Sequence, residues 1–242
     1  MQHLVRNTIR CVLLAILWPV LWLQARHVFR ITPKLPEASG LRSGQSGSGP
    51  HCRILIAGDS GAAGVGVSTQ DQALCGQLVQ GLANHFTVEW QLLAANGLDS
   101  PGLVALLDQL PALPFDVVVL SIGANDATGL CTPKRWALWQ SQLASQIDER
   151  FAPSLLVHTT VPPMHACEAL PQPLRWFMGT WAYEMNRLLQ ALFGAHRHRT
   201  VLGHPASTSS TGMSMDGIHP SALGYQVWAE GLTTHILAHH GQ

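Results

Sequence analysis

The chain has 242 residues, 47% of them hydrophobic and 12% charged, with Lys and Arg balancing Asp and Glu at 14 each. That length suits one domain with a sizeable core, and without net positive charge there is no electrostatic footprint for nucleic acid. Five cysteines (Cys11, Cys52, Cys75, Cys131 and Cys167) lack metal-type spacing and are expected as buried thiols, not as a disulfide framework.

The N-terminus opens with Arg6 and Arg10, followed by a continuous apolar run over 11–23. At about 1.5 Å per residue this run spans roughly 20 Å, short of a hydrocarbon core of about 30 Å, which fits a signal-type segment or a short anchor. Leu23-Gln24-Ala25 is a weak cleavage site because leucine is not small, so residues 1–25 are expected as a retained signal/anchor segment that makes the protein membrane-associated. Arg26, Arg30 and Lys34 outnumber the arginines before the run, while signal-type logic points the other way, so the side of the membrane stays open. Residues 26–50 end in SGQSGSGP and are expected as a flexible linker, leaving 51–242 as the folded domain.

Within that domain Arg53-Ile54-Leu55-Ile56-Ala57 is a buried strand running into Gly58-Asp59-Ser60-Gly61, a turn that lifts the Ser60 hydroxyl off the strand end. Ser68 with Asp71 suggests a helix start, and Leu74, Leu78 and Leu82 recur at helical spacing. A strand over Thr87 to Ala94, a helix over Pro101 to Leu110 and a strand over Asp116 to Leu120 follow. Pro133 opens a helix bearing Trp136, Trp139, Leu143 and Ile147, and Leu155-Leu156-Val157 is the next strand. Leu174 to Phe193 is a long amphipathic helix with Phe177, Met178, Trp181, Met185, Leu188 and Leu192 as its apolar stripe. Thr200-Val201-Leu202 is a last short strand and Leu223 to Leu237 a last helix. Wholly apolar strands alternating with amphipathic helices imply an α/β fold, a parallel sheet covered on both faces, with its ligand crevice at the carboxyl ends of the strands.

The polar motifs fall at those ends. A serine hydroxyl is a weak nucleophile near neutrality and needs a base, a role His219 can fill, while Asp216 can accept the other ring N–H and fix the tautomer. Pro220 keeps His219 out of the helical region, in the loop. The Asn125 side-chain amide and the backbone N–H groups of Ser60 and Gly97 are the candidate donors to an oxyanion. Asp59 and Asp126 are expected to support the turns that carry these groups. Each residue alone has an ordinary turn or cap role, and it is their joint occurrence in this order that points to chemistry. His196, His198, His239 and His240 have no carboxylate or cysteine partners at ligand spacing, so no metal is expected.

On these residues the chain resembles the SGNH hydrolase superfamily, the GDSL-type esterases and lipases. Gly58-Asp59-Ser60 matches the first block, Gly97 the second, Gly123-Ala124-Asn125-Asp126 the third and Asp216-Gly217-Ile218-His219-Pro220 the fifth; Gly61 replaces the leucine of the GDSL signature. The resemblance implies a flavodoxin-like three-layer α/β/α sandwich and cofactor-free hydrolysis of carboxylic esters or thioesters. In it Ser60 is nucleophile, His219 base and acid, Asp216 orienter, and Ser60, Gly97 and Asn125 the oxyanion hole. The expected substrate is a small-molecule or lipid acyl ester near a membrane. A polysaccharide O-acetyl esterase or acyltransferase using the same residues is the first alternative, and a catalytically silent membrane-tethered binding module the second.

Overall fold

Helix α1 (Gln2–Ile31) precedes strands β1 (Ser43–Ser46) and β2 (His51–Gly58), the one-turn helix α2 (Ser60–Ala63) and helix α3 (Leu74–Ala83). Strand β3 (Thr87–Ala94), helix α4 (Ser100–Leu107), strand β4 (Val117–Ser121), helix α5 (Ala124–Thr128) and helix α6 (Pro133–Phe151) follow. Strand β5 (Leu155–Thr159), helix α7 (Leu174–Phe193), strand β6 (Arg199–Leu202) and helix α8 (Ala222–His240) complete the order. The computed structural model describes residues 2–204 and 212–240, with side chains from residue 17 onward, so Arg6, Arg10, Cys11 and the first half of the apolar run lie outside the described side chains.

The sheet has six strands in the order β1-β3-β2-β4-β5-β6. All neighbours are parallel except β1, which runs antiparallel on β3, so the parallel sheet expected from sequence carries one antiparallel edge. From β2 the chain steps to β3 on one side and then returns to β4 on the other, and ligands bind at such a switch point because the connecting loops diverge there. Register aligns the strand ends: Gly58 stands opposite Ala94 of β3 and Ser121 of β4.

Alternation along the strands sorts the core into two layers. Leu55, Ala57, Val118, Leu120 and Leu156 pack under α4, α6 and α7, whereas Ile54, Ile56, Val117, Val119, Leu155 and Val157 face α3 and α8. Helix starts follow local chemistry. The Thr132 hydroxyl caps α6 by accepting from the Arg135 amide ahead of Pro133, and Asp99 caps α4 by accepting from Gly102. The Ser68 start is not used. Ser68 bonds the Gln72 side chain, a 3₁₀ turn spans Gln70–Gln72, and α3 begins at Leu74. On α7 the buried stripe is Leu174, Met178, Ala182, Met185, Leu189 and Phe193; Leu192, expected in the stripe, is exposed.

The segment expected as a flexible linker, 26–50, is ordered on the domain. Helix α1 runs through the 25/26 boundary, and its residues Leu21 and Val28 are buried in the α7 layer. Gln24 donates to the Gln172 carbonyl at 2.6 Å and accepts from the Leu174 amide at 3.0 Å. Further on, Gln70 donates to the Ala38 carbonyl, Arg42 pairs with Glu37 and donates to the Ala94 carbonyl, and β1 bonds the edge of β3. The Gly/Ser composition that reads as flexible is what lets this strand lie flat: a side chain on Gly44 would collide with the Trp90 indole. Among the described residues no helix is long and apolar enough to cross a membrane.

His158 on β5 is 1% exposed, stacks on Phe193 with ring centroids 4.2 Å apart, and leaves both ring nitrogens without a hydrogen-bond partner. Burial, aided by the Arg199 charge, pushes its pKa down to about 3. The folded state holds this ring neutral where the unfolded chain, with pKa near 6.5, would protonate it, so stability is lost as pH falls below 6.5. Between pH 7 and pH 5 the loss is about 2 kcal/mol. His158→Leu is expected to remove that component, and urea midpoints of the two proteins at both pH values measure it; an equal acid sensitivity in the variant would refute the assignment.

Candidate active site

The site lies where the switch point places it. Strand β2 ends at Gly58, whose closeness to β4 leaves no room for a side chain: any Cβ would strike the Ser121 carbonyl. The Asp59 amide continues the ladder to that carbonyl at 3.0 Å, and the Asp59 carboxylate caps α2 by accepting from the Gly61 amide at 3.1 Å. This sharp strand-to-helix step puts Ser60 at the first position of α2, with its hydroxyl off the sheet edge and its amide outside the intrahelical bonding. Burial pushes the Asp59 carboxyl up to about 6, against the opposing pull of the Gly61 amide and the His219 charge.

The histidine arrives on the loop before α8. Ser214 N–H bonds the His219 carbonyl at 2.8 Å, and Met213 bridges Pro220 in antiparallel fashion, closing a small hairpin with Gly217 at its tip. His219 Nε2 lies 2.9 Å from Ser60 Oγ, and Nδ1 lies 2.6 Å from Asp216 Oδ2. The other Asp216 oxygen accepts from Ser214 Oγ and from the Ile218 and His219 amides at 2.8, 2.9 and 3.0 Å. Burial alone would raise the Asp216 pKa, but these bonds and the one from the imidazole hold it well below the usual carboxylate range. A carboxylate that stays ionised fixes the Nδ1–H tautomer and leaves Nε2 free to take a proton from Ser60.

The remaining predicted residues come from the two neighbouring strand ends. Asn125, on α5, donates one amide hydrogen to the Leu98 carbonyl at 2.9 Å, which orients the side chain and leaves its second N–H for a ligand. Gly97 has a left-handed φ of +81° with open space around it, and its amide has no acceptor among the described residues. Ser60, Gly97, Asn125, Asp216 and His219 all line one cavity of about 1610 Å³. Asp126 points away from it. Its carboxylate accepts from the amide and hydroxyl of Ser100, at 3.1 and 2.9 Å, and Gln140 completes this buried cluster by donating to the same hydroxyl. Asp126 thus ties α5 to the start of α4, holding the loop of Gly97 and Leu98 against Asn125.

Three contributors escaped the sequence reading. Ser214 braces Asp216, Gln140 closes the Ser100–Asp126 cluster, and the end of α1 forms part of the cavity wall. A serine two residues before Asp216 was a usable signal; the other two depend on packing between distant segments.

Layering and the crevice at the switch point together define an open α/β fold with helices on both faces of the sheet. The sequence pattern described as the GDSL-like Lipase/Acylhydrolase family matches residues 56–227, and the chain belongs to that family; it is a hydrolase acting on ester bonds. The fold is similar to that of the lipase Lip_vut3 from a goat rumen metagenome, with TM-score 0.61 and 19% identity over 76% of this chain and 96% of that one. It is also similar to a lipase/acylhydrolase from Enterococcus faecalis, with TM-score 0.60 and 19% identity over 77% and 96%. An acetylxylan esterase from Geobacillus stearothermophilus gives TM-score 0.56 and 15% identity over 78% and 95%. No curated protein matches the sequence.

Asp126→Ala removes the acceptor of the buried Ser100 groups and is expected to lower unfolding free energy by about 2–3 kcal/mol, with Asp126→Asn costing less. Urea titration monitored by tryptophan fluorescence measures both; a loss under about 0.5 kcal/mol in the alanine variant would show the cluster to be dispensable.

Proposed function

We propose that Ser60, His219 and Asp216 act as nucleophile, base and orienter in hydrolysis of a carboxylic ester or thioester through an acyl-enzyme. The observation that carries this reading is the unbroken line of bonds from Ser60 Oγ to His219 Nε2 and from Nδ1 to Asp216. Ser60 Oγ attacks the carbonyl carbon as its proton passes to Nε2, and the carbonyl oxygen becomes the oxyanion, with the amides of Ser60 and Gly97 and the free N–H of Asn125 as its donors. Collapse expels the alkoxide or thiolate, which takes the proton from His219. Water then attacks the acyl-serine by the same base, releasing the acid and restoring the hydroxyl. In this scheme water is the one reactant besides the ester, and the nucleophile, base, orienter and oxyanion donors are groups of the chain.

The substrate we favour is an acyl ester at a membrane surface, to which the apolar run over 11–23 attaches the enzyme. The cavity supports a long acyl group: it exceeds the roughly 300–1,000 Å³ of a usual small-molecule pocket, and Ile122, Val161, Met164, Leu174 and Met178 are among its lining. The alternative of removing O-acetyl groups from a polysaccharide draws on the acetylxylan esterase among the structural neighbours.

Ser60→Ala is expected to lower turnover by several orders of magnitude and to abolish labelling by a fluorophosphonate probe, and Asn125→Ala to cost about 10²- to 10³-fold in kcat. Turnover of the Ser60 variant within about threefold of the unaltered enzyme would end the assignment. A panel of 4-nitrophenyl esters should show kcat/KM rising from acetyl to longer chains; a maximum at acetyl would favour the O-acetyl reading.

A further inference from the structure

The cavity that holds Ser60 and His219 is also lined by the last turns of α1 and the segment behind it, from Trp22 to Leu35. Both ends of this segment are fixed. Gln24 is bonded to Gln172 and Leu174 at the start of α7, and the Glu37 carboxylate accepts from the Asn96 amide, next to Gly97, at 2.6 Å. Between these points the chain crosses the carboxyl edge of the sheet as a strap, from the α7 side to the β3 side, over the switch point.

The strap carries a charge that the rest of the cavity does not balance. Arg26, Arg30 and Lys34 line the cavity, and the sequence has no Asp or Glu before Glu37, which is taken by Arg42. None of the three makes an ion pair among the described residues; Arg26 lies over the Trp22 ring at 4.7 Å and Lys34 over the Phe29 ring at 5.5 Å. The acidic residues lining the cavity, Asp59 and Asp216, are already held by the Gly61 amide and the His219 ring. In a chain of zero net charge, such an excess is local to the strap.

We propose that the strap is an anionic head-group subsite: it binds the phosphate of a phosphate-bearing acyl ester whose carbonyl sits at Ser60 and whose chain lies against Met164, Leu174 and Met178. Guanidinium groups offer paired donors to phosphate and the lysine a point charge. The inference rests on the esterase reading above and adds the class of leaving group. Bilayer phosphates have the same chemistry, and the test separates them from the substrate's own.

The full chain is assayed on the hexanoyl ester of glycerol 3-phosphate and on monohexanoylglycerol, both dissolved as monomers. The unaltered enzyme is expected to prefer the phosphate ester, and the variant Arg26→Gln/Arg30→Gln/Lys34→Gln to lower the ratio of the two kcat/KM values about tenfold, mainly through KM, the scale that three exposed charge pairs supply together. Added salt should lower the same ratio in the unaltered enzyme, a readout independent of whether the variant folds. A ratio indifferent to salt and to the substitutions overturns the subsite while leaving the esterase intact. Loss confined to substrate in phosphatidylglycerol vesicles assigns the charges to the bilayer and also overturns it. An unaltered enzyme that cleaves neither ester overturns the parent reading, and this one with it.

Discussion

The site depends on register. With Ala94, Gly58 and Ser121 side by side at the ends of β3, β2 and β4, the loops that follow them have no choice but to be neighbours. The ladder persists one step beyond the strands, since the Ala95 amide bonds the Gly58 carbonyl and the Asp59 amide the Ser121 carbonyl. A slip of one residue in either pairing would turn every apolar side chain to the wrong face of the sheet, so the two core layers and the alignment of the loops that carry Ser60, Gly97 and Asn125 are protected by the same energy. The Ser60 hydroxyl is positioned by burial of Ile54, Leu55, Ile56 and Ala57 as much as by anything near it.

Around that frame, polar groups are used to fix other polar groups. Asp216 is held by a serine and two amides before it meets the imidazole, Asn125 is turned by the Leu98 carbonyl, and Asp126 holds the loop that supplies it. Such bracing matters because a donor or base a fraction of an ångström from its place loses much of its effect on a transition state. The open space around Gly97 contrasts with the crowding at Gly58, the first leaving access for a ligand and the second closing the sheet.

Much of this was legible in the chain. The apolar runs over Ile54–Ala57, Val117–Leu120 and Leu155–Val157 have only one comfortable home, a sheet buried on both faces, and the Asp216-Gly217-Ile218-His219-Pro220 loop announces a histidine kept out of a helix. What was hidden shares a physical cause. β1 pairs through backbone alone, so its Gly/Ser sequence reads as slack; Gln24 and Gln70 act through amides whose partners lie far away in sequence; and on α7 the apolar residues at Leu188 and Leu192 compete with Leu189 and Phe193 for a core-facing position that only packing decides. Composition reports what a segment would do alone, and these segments are not alone.

The short strand β1 has a consequence for solubility. By occupying the outer edge of β3, it takes up amide and carbonyl groups that would otherwise invite a strand from another molecule, and it leaves in their place an edge of only 4 residues, none of them apolar beyond glycine. A segment that looks dispensable thus shields the sheet from edge-to-edge aggregation.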